Sequence, residues 1–229
     1  GLMTLRKGDI VQLNIEKMAY GGRGLGRVDG RVVFVQGGVP GDRMTARIFK
    51  KKKGWAEAGM VDLLTPSLDR QTPACPYFGY CGGCQWQHVA YPRQLDYKRD
   101  QVRDAVERIG GLEGVPVHET LPSSREFGYR NKMEFSFSDR RWLLPEEMGQ
   151  EGVERGFALG LHVPGTFNKI IDVEACLLQA PLGNDLLGAV RERVRQSGLP
   201  VYGIKSHEGF WRFLTLRHSV SRDEWLVNL

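Results

Sequence analysis

Cys75-Pro76-Tyr77-Phe78-Gly79-Tyr80-Cys81-Gly82-Gly83-Cys84 places three thiols in ten residues of a glycine- and aromatic-rich loop, and the fourth cysteine, Cys176, stands far downstream. Three thiols cannot all pair among themselves, because one is always left over. Three near ligands and one remote one can hold an inorganic centre, whose fourth bond then staples two distant stretches of the chain. Zinc sites usually present two Cys-x2-Cys pairs, and here Cys81-Gly82-Gly83-Cys84 alone has that form. An iron–sulfur cluster accepts looser spacing, since each thiolate takes a different iron. Iron–sulfur, structural zinc, and free or disulfide-linked thiols all remain open on spacing alone. Gly82 and Gly83 would let backbone N–H groups approach a cluster, and Tyr77, Phe78, Tyr80 and Trp86 would keep water away. His88 is a rival ligand by position, though a histidine so placed more often packs or hydrogen-bonds.

Upstream of this loop the pattern is that of a small β-barrel. Gly8 to Ile15 alternates apolar and polar residues, the period of a half-buried strand. Asp29-Gly30 between two apolar runs predicts a tight hairpin. Val32-Val33-Phe34-Val35 is a third strand, and strands near 43–49 and 55–62 flank a Lys50-Lys51-Lys52-Lys53-Gly54 turn. Five short strands in this length fit a closed, OB-like barrel over residues 1–64. The glycines of Gly22-Arg23-Gly24-Leu25-Gly26 precede a hairpin rather than a helix, so they serve strand bends and not a nucleotide phosphate. Thr65 to Ala74 is polar and proline-rich and reads as a linker.

Downstream, residues 75–229 read as one α+β domain with a mainly antiparallel sheet. Its cysteine loop spans 75–90. A helix over 91–110 ends at Gly110-Gly111, with Leu95, Val102, Val106 and Ile109 on one face. Tyr129 to Phe137 alternates strictly, so Met133, Phe135 and Phe137 face a core while Arg130, Lys132 and Glu134 face away. Gly156 to Val163 is a further strand, Pro181 to Gln196 an amphipathic helix, and Trp211–Leu216 and Glu224–Leu229 are closing strands. The last of these reads as a buried strand without a turn or cap, so the chain is expected to be part of a longer protein.

Charge divides the same way. Of the net +5, residues 1–63 hold twelve Lys/Arg against six Asp/Glu, a local +6, and the remaining 166 residues carry −1. A basic N-terminal barrel predicts a polyanionic partner, RNA or DNA, although a solvated basic face explains the charge equally well. Lys50 to Lys53 is either a solubilising loop or a set of phosphate contacts. Hydrophobic content is 41% with no apolar run of membrane-spanning length. No secretory signal pattern is present, and the sequence predicts a cytoplasmic monomer in a reducing compartment. No catalytic constellation is visible: there is no Gly-x-Ser-x-Gly, no His-Glu-x-x-His, and no Cys/His pair once the cysteines are committed to a centre.

Two groups of residues resemble known families. Gly21-Gly22-Arg23-Gly24-Leu25-Gly26-Arg27, Asp29 to Val35 and Val39-Pro40-Gly41-Asp42 resemble a TRAM domain, a small RNA-binding barrel. Cys75 to His88, then Tyr91-Pro92-x-Gln94-Leu95-x-x-Lys98, resembles the RNA (uracil-5-)-methyltransferases, most closely the 23S rRNA branch with a [4Fe-4S] cluster. Gly128-Tyr129-Arg130-Asn131-Lys132 and Cys176 fall where that family's central domain places them. The resemblance implies a [4Fe-4S] cluster on Cys75, Cys81, Cys84 and Cys176, and RNA contacts from Arg23, Lys50, Lys51, Lys52, Lys53, Arg130, Asn131 and Lys132. It also implies a C-terminal domain, absent from this chain, that binds S-adenosylmethionine and carries the nucleophilic cysteine. On that expectation this chain holds no catalytic residue and is inactive alone. Rival expectations are an RNA-binding module with structural zinc, an electron-transfer protein, and a tRNA rather than rRNA uracil methyltransferase.

Overall fold

The structure is a computed structural model and describes residues 5–229; the first four residues of the expected barrel range lie outside them. The chain divides into two units, Gly1–Ala74 with Gln85–Pro122, and Cys75–Cys84 with Ser123–Leu229. This division differs from the expected one, because residues 85–122, helix included, belong with the barrel rather than with the later domain.

In the first unit, β1 (Ile10–Met18), β2 (Gly24–Val28), β3 (Arg31–Gln36), β4 (Arg43–Lys51) and β5 (Trp55–Thr65) form a closed barrel in the order β1-β2-β3-β5-β4. Neighbours are antiparallel except β3 and β5, which run parallel. Val11, Leu13 and Ile15 of β1, Val33 and Val35 of β3, Met44, Ala46 and Ile48 of β4, and Ala56 and Ala58 of β5 fill the interior. The small alanines suit a narrow barrel, where alternating size fits the taper. Asp29 and Gly30 have φ of 47° and 77°, the paired left-handed conformation that the β2–β3 hairpin requires. Gly24 and Gly26 are set by close approach: an added Cβ would lie 2.7 Å from the Gly38 carbonyl oxygen and 2.3 Å from that of Asn14. Close approach of neighbouring backbone, rather than the strand bend expected, is what these two positions require.

Residues 65–74 are not a free linker. Asp42 is fully buried and accepts hydrogen bonds from the backbone N–H of Val39 and of Ser67 at 2.7 and 2.8 Å. Arg70 adds two donors, Nε at 2.7 Å and Nη2 at 2.6 Å, and donates also to the Gly37 carbonyl at 2.8 Å. The proline-rich segment is thereby clasped onto the barrel, and its polarity is that of a binding strap. Tyr97 then donates to Asp69 at 3.0 Å, which ties the following helix to the strap.

That helix, α1 (Tyr91–Asp104), continues through a wider π-type turn over Ala105–Ile109 that closes on Gly110. Its apolar residues do not form the buried face expected: Val102 is 52% and Ile109 87% exposed, Leu95 and Val106 are half-buried, and Tyr97 is the buried residue of the helix. Polar bonds orient it instead. Lys17 pairs with Asp104, Gln101 donates to the Ala19 carbonyl, and Gln94 donates to the carbonyls of Trp86 and Val89.

The second unit holds a six-stranded sheet built from β6 (Lys132–Ser138), β7 (Arg141–Trp142), β8 (Ala158–His162), β9 (Ile170–Asp172), β10 (Phe213–Ser219) and β11 (Glu224–Asn228). The order is β11-β10-β6-β8-β9-β7, antiparallel except for β7 with β9. Met133, Phe135 and Phe137 of β6 face the core as the alternation required. They meet Leu187, Val190 and Val194 of α2 (Pro181–Gln196). Arg191 pins α2 to the sheet, donating to Asp172 at 2.5 Å and to the Val173 carbonyl at 2.7 Å. The final strand corrects an expectation. β11 is an exposed edge, with Leu226 54% and Val227 42% accessible.

Candidate cluster site and RNA-facing residues

All four cysteines fall in the sheet unit. The loop 75–84 lacks regular structure and is folded by its own turns. Phe78 N–H donates to the Cys75 carbonyl at 3.2 Å, and Cys81 N–H to that of Tyr77 at 2.9 Å. Gly79 takes φ of 91°, a turn that other residues rarely adopt. Two bonds moor the loop to the sheet unit: Gly82 N–H to the His162 carbonyl at 2.9 Å, and Glu174 N–H to the Tyr77 hydroxyl at 3.1 Å.

Cys176 belongs to the buried core, against which Cys81, Cys84, Tyr77 and Tyr80 pack. Each of the four thiols lies within electrostatic reach of the other three. Burial is the main force on them. It pushes the Cys81 thiol up to about 11 against a hydrogen bond from Gly83 N–H, and the other three sulfurs push the same way. Burial also raises Cys75, opposed by the N–H groups of Tyr77 and Phe78, and raises Cys176, opposed by Leu178 N–H and the charge of Arg130. A nucleophilic cysteine needs a depressed pKa. These three are shifted the other way, which suits ligands that ionise only when a cation arrives.

The main chain at Cys176 is held by a side chain that no local sequence pattern singles out. Asn184, in the first turn of α2, accepts from Cys176 N–H at 2.8 Å and donates to its carbonyl at 3.3 Å. Gln179 donates to the same Asn184 oxygen at 2.7 Å. Other expectations for the site change in detail. Gly82 spends its N–H on His162, so of the glycine pair Gly83 alone donates to a sulfur, Cys81 Sγ at 3.3 Å. Trp86, expected to shield the thiols, belongs to the barrel unit, edge-on to Tyr97 and donating to the Gly22 carbonyl. Trp142, against Tyr80, takes the shielding place. His88, the rival ligand by position, is buried in the barrel unit.

Among the described residues no group of three or more His, Cys, Asp or Glu is arranged to hold a metal ion. A tetrahedral clamp on one zinc ion would need sulfurs about 2.3 Å from a common point. The chemistry of the donor set nonetheless fits a cluster: four converging thiols, backbone N–H groups aimed at sulfur, and aromatic cover.

The expected RNA contacts divide between the units. Arg23 and Lys50 lie on the outer barrel surface, and both pair with Glu57, at 3.2 and 3.1 Å. Lys51 ends β4, while Lys52 and Lys53 form the exposed turn beyond it. Arg130, Asn131 and Lys132 are exposed in the sheet unit; β6 begins at Lys132, and Arg130 N–H donates to the Leu178 carbonyl at 2.8 Å. Asn131 accepts from His218 N–H through its carbonyl, and Lys132 pairs with Glu134 at 3.3 Å.

Comparison with known proteins agrees with this architecture. Residues 5–61, the barrel strands among them, match the TRAM domain family. The chain is 41% identical over 228 residues to a protein of Chlorobaculum tepidum named an uncharacterized RNA methyltransferase, covering 98% of this chain and 47% of that protein. A Porphyromonas gingivalis protein of the same name is 38% identical over 221 residues, covering 94% of this chain and 47% of its own length. The chain thus spans about half the length of the curated relatives it matches. Among solved structures, the Pyrococcus abyssi tRNA (uracil-54, C5)-methyltransferase in complex with S-adenosyl-L-homocysteine superposes with a TM-score of 0.63 at 24% identity, covering 94% of this chain and 45% of that one. That likeness shows a shared fold. Among the described residues no helix is long and apolar enough to cross a membrane.

Proposed function

We infer that this chain supplies the RNA-docking and cluster-bearing part of an S-adenosylmethionine-dependent RNA (uracil-5-)-methyltransferase acting on 23S rRNA. The observation that carries the reading is the convergence of Cys75, Cys81, Cys84 and Cys176 in one corner of a chain that also bears a TRAM barrel. Relatives named RNA methyltransferases support the reaction class.

In this reading the four cysteines hold a [4Fe-4S] cluster. When bound, the cluster supplies metal–thiolate bonds that join the loop to the sheet, a structural task, since methyl transfer from this donor consumes no electrons. Gly83 N–H holds the Cys81 sulfur, Asn184 fixes the peptide of Cys176, and Tyr77, Tyr80 and Trp142 exclude water. Arg23, Lys50, Lys51, Lys52 and Lys53 meet phosphates from the barrel, and Arg130, Asn131 and Lys132 do so from the sheet unit. No residue of this chain is assigned to the methyl donor or to attack on uracil.

The test is the fate of one modified base. Deleting the encoding gene should remove one 5-methyluridine from 23S rRNA, read by mass spectrometry of nuclease digests. Loss from tRNA alone would reassign the substrate, and an unchanged content in both RNAs would overturn the reaction class.

A further inference from the structure

The outer face of the barrel carries five side chains whose arrangement the lysine run and the glycine motif do not explain. Phe34 of β3 and Trp55 at the start of β5 meet edge to face, with ring centroids 6.0 Å apart and planes at 74°. Each ring has a cation over it: the Arg23 guanidinium lies 4.8 Å from the Phe34 centroid, and the Lys50 ammonium 5.3 Å from that of Trp55. One carboxylate holds both cations there, Glu57 Oε1, at 3.2 Å from Arg23 and 3.1 Å from Lys50.

Strand register builds this group. Phe34 and Glu57 are partners across the parallel β3–β5 pair. Lys50 would point into the barrel if β4 kept its alternation from Met44, Ala46 and Ile48. The register slips between Ile48 and Lys50, and Lys50 instead stands opposite Glu57. A bulge of this kind re-aims a side chain. The bonds from Lys50 and Arg23 outweigh the effect of burial and hold the Glu57 carboxyl below its usual range, so it is ionised at neutral pH.

We propose that Phe34 and Trp55 form a covered stacking site for an unpaired RNA base, in which a neighbouring phosphate replaces Glu57 as the partner of Arg23 and Lys50. This rests on the RNA-docking reading above. Two cations share one carboxylate, so the group carries an excess positive charge beside Lys51, Lys52 and Lys53. The covers are long side chains that stay 35% and 48% exposed, so moving them aside costs little. A phosphate offers both cations a stronger set of acceptors, and an uncovered aromatic face accepts any base.

The test is binding of the full chain to a short fluorescent oligouridylate, and to a strand of equal length and charge with abasic sites in place of the bases. Wild-type protein should bind the abasic strand about tenfold more weakly, the range of one base–aromatic stack. Trp55→Leu should lose about the same factor on oligouridylate and nothing on the abasic strand. Glu57→Gln should tighten binding to both strands, by roughly two- to fivefold, the worth of an exposed ion pair. Equal, salt-dependent binding of the two strands by the wild type would overturn the stacking site and leave RNA docking intact. No binding of either strand at low salt would overturn both. The abasic comparison needs no variant, so a Trp55→Leu protein that fails to fold does not decide the outcome.

Discussion

The barrel unit and the sheet unit each draw polar side chains into a loop-lined corner, and each satisfies them by a different route. In the barrel, Asp42 is wholly buried, yet its oxygens meet two backbone N–H groups and two donors of Arg70. The chain provides every partner. In the sheet unit, the buried Cys176 and the half-buried Cys75 and Cys81 are thiols that resist ionisation and would repel one another if charged. A few backbone N–H groups and Arg130 ease them. The contrast separates a corner completed by folding from one that, on the function proposed above, an added cationic group would complete.

The largest expected effect lies on the uncompleted side. Anaerobic reconstitution of the chain with iron and sulfide should load about four of each and give a visible absorption that bleaches with reductant. Cys176→Ala should remove that band. A colourless protein that takes up zinc instead would move the corner to the zinc class and erase half of the contrast.

Next comes the completed corner. Arg70→Ala leaves Asp42 buried without its cation and should lower stability by about 3–5 kcal/mol, measured by urea unfolding. A loss below about 1 kcal/mol would show that the strap over residues 65–74 is held by something else. The smallest effect is the response to acid. Burial, with the nearby charge of Arg70, pushes the His88 imidazole down to about 4 from its ordinary 6.5. A depressed pKa means that the unfolded chain takes up the proton first. The stabilising contribution is therefore complete above about pH 6.5 and is lost as pH falls through about 4, on the order of 3 kcal/mol in all. Asp42, whose carboxyl is held low against burial by Arg70, Ser67 and Val39, adds loss in the same direction. Thermal melting between pH 7 and pH 4 checks it, and a midpoint that stays constant over that range would refute the assignment.

What was legible in the sequence depended on where the determining interactions lie. Asp29-Gly30 announced its hairpin because both left-handed residues are adjacent. Met133, Phe135 and Phe137 announced their face because alternation is local, and α2 runs from Pro181 to Gln196 as its pattern required. The crowding of Cys75, Cys81 and Cys84 was legible from their spacing. Elements set by distant partners were not. Residues 65–74 look like a linker until Asp42 is seen waiting for Ser67 and Arg70. The apolar residues of α1 implied a buried face, but hydrogen bonds to Ala19, Trp86 and Val89 orient the helix. Glu57 carried no local signal either, since its meeting with Arg23 and Lys50 depends on strand register and a bulge.

The path of the backbone has a practical consequence. The polypeptide leaves the barrel unit at Cys75, gives ten residues to the sheet unit, returns at Gln85, and departs again at Ser123. Neither unit is therefore an uninterrupted piece of gene. A truncation begun at Ser123 would express the sheet with one cysteine of four, and one ended at Ala74 would strip the barrel of the helix that Tyr97 anchors. To prepare either half alone, the ten-residue excursion must be grafted in or replaced by a short bridge.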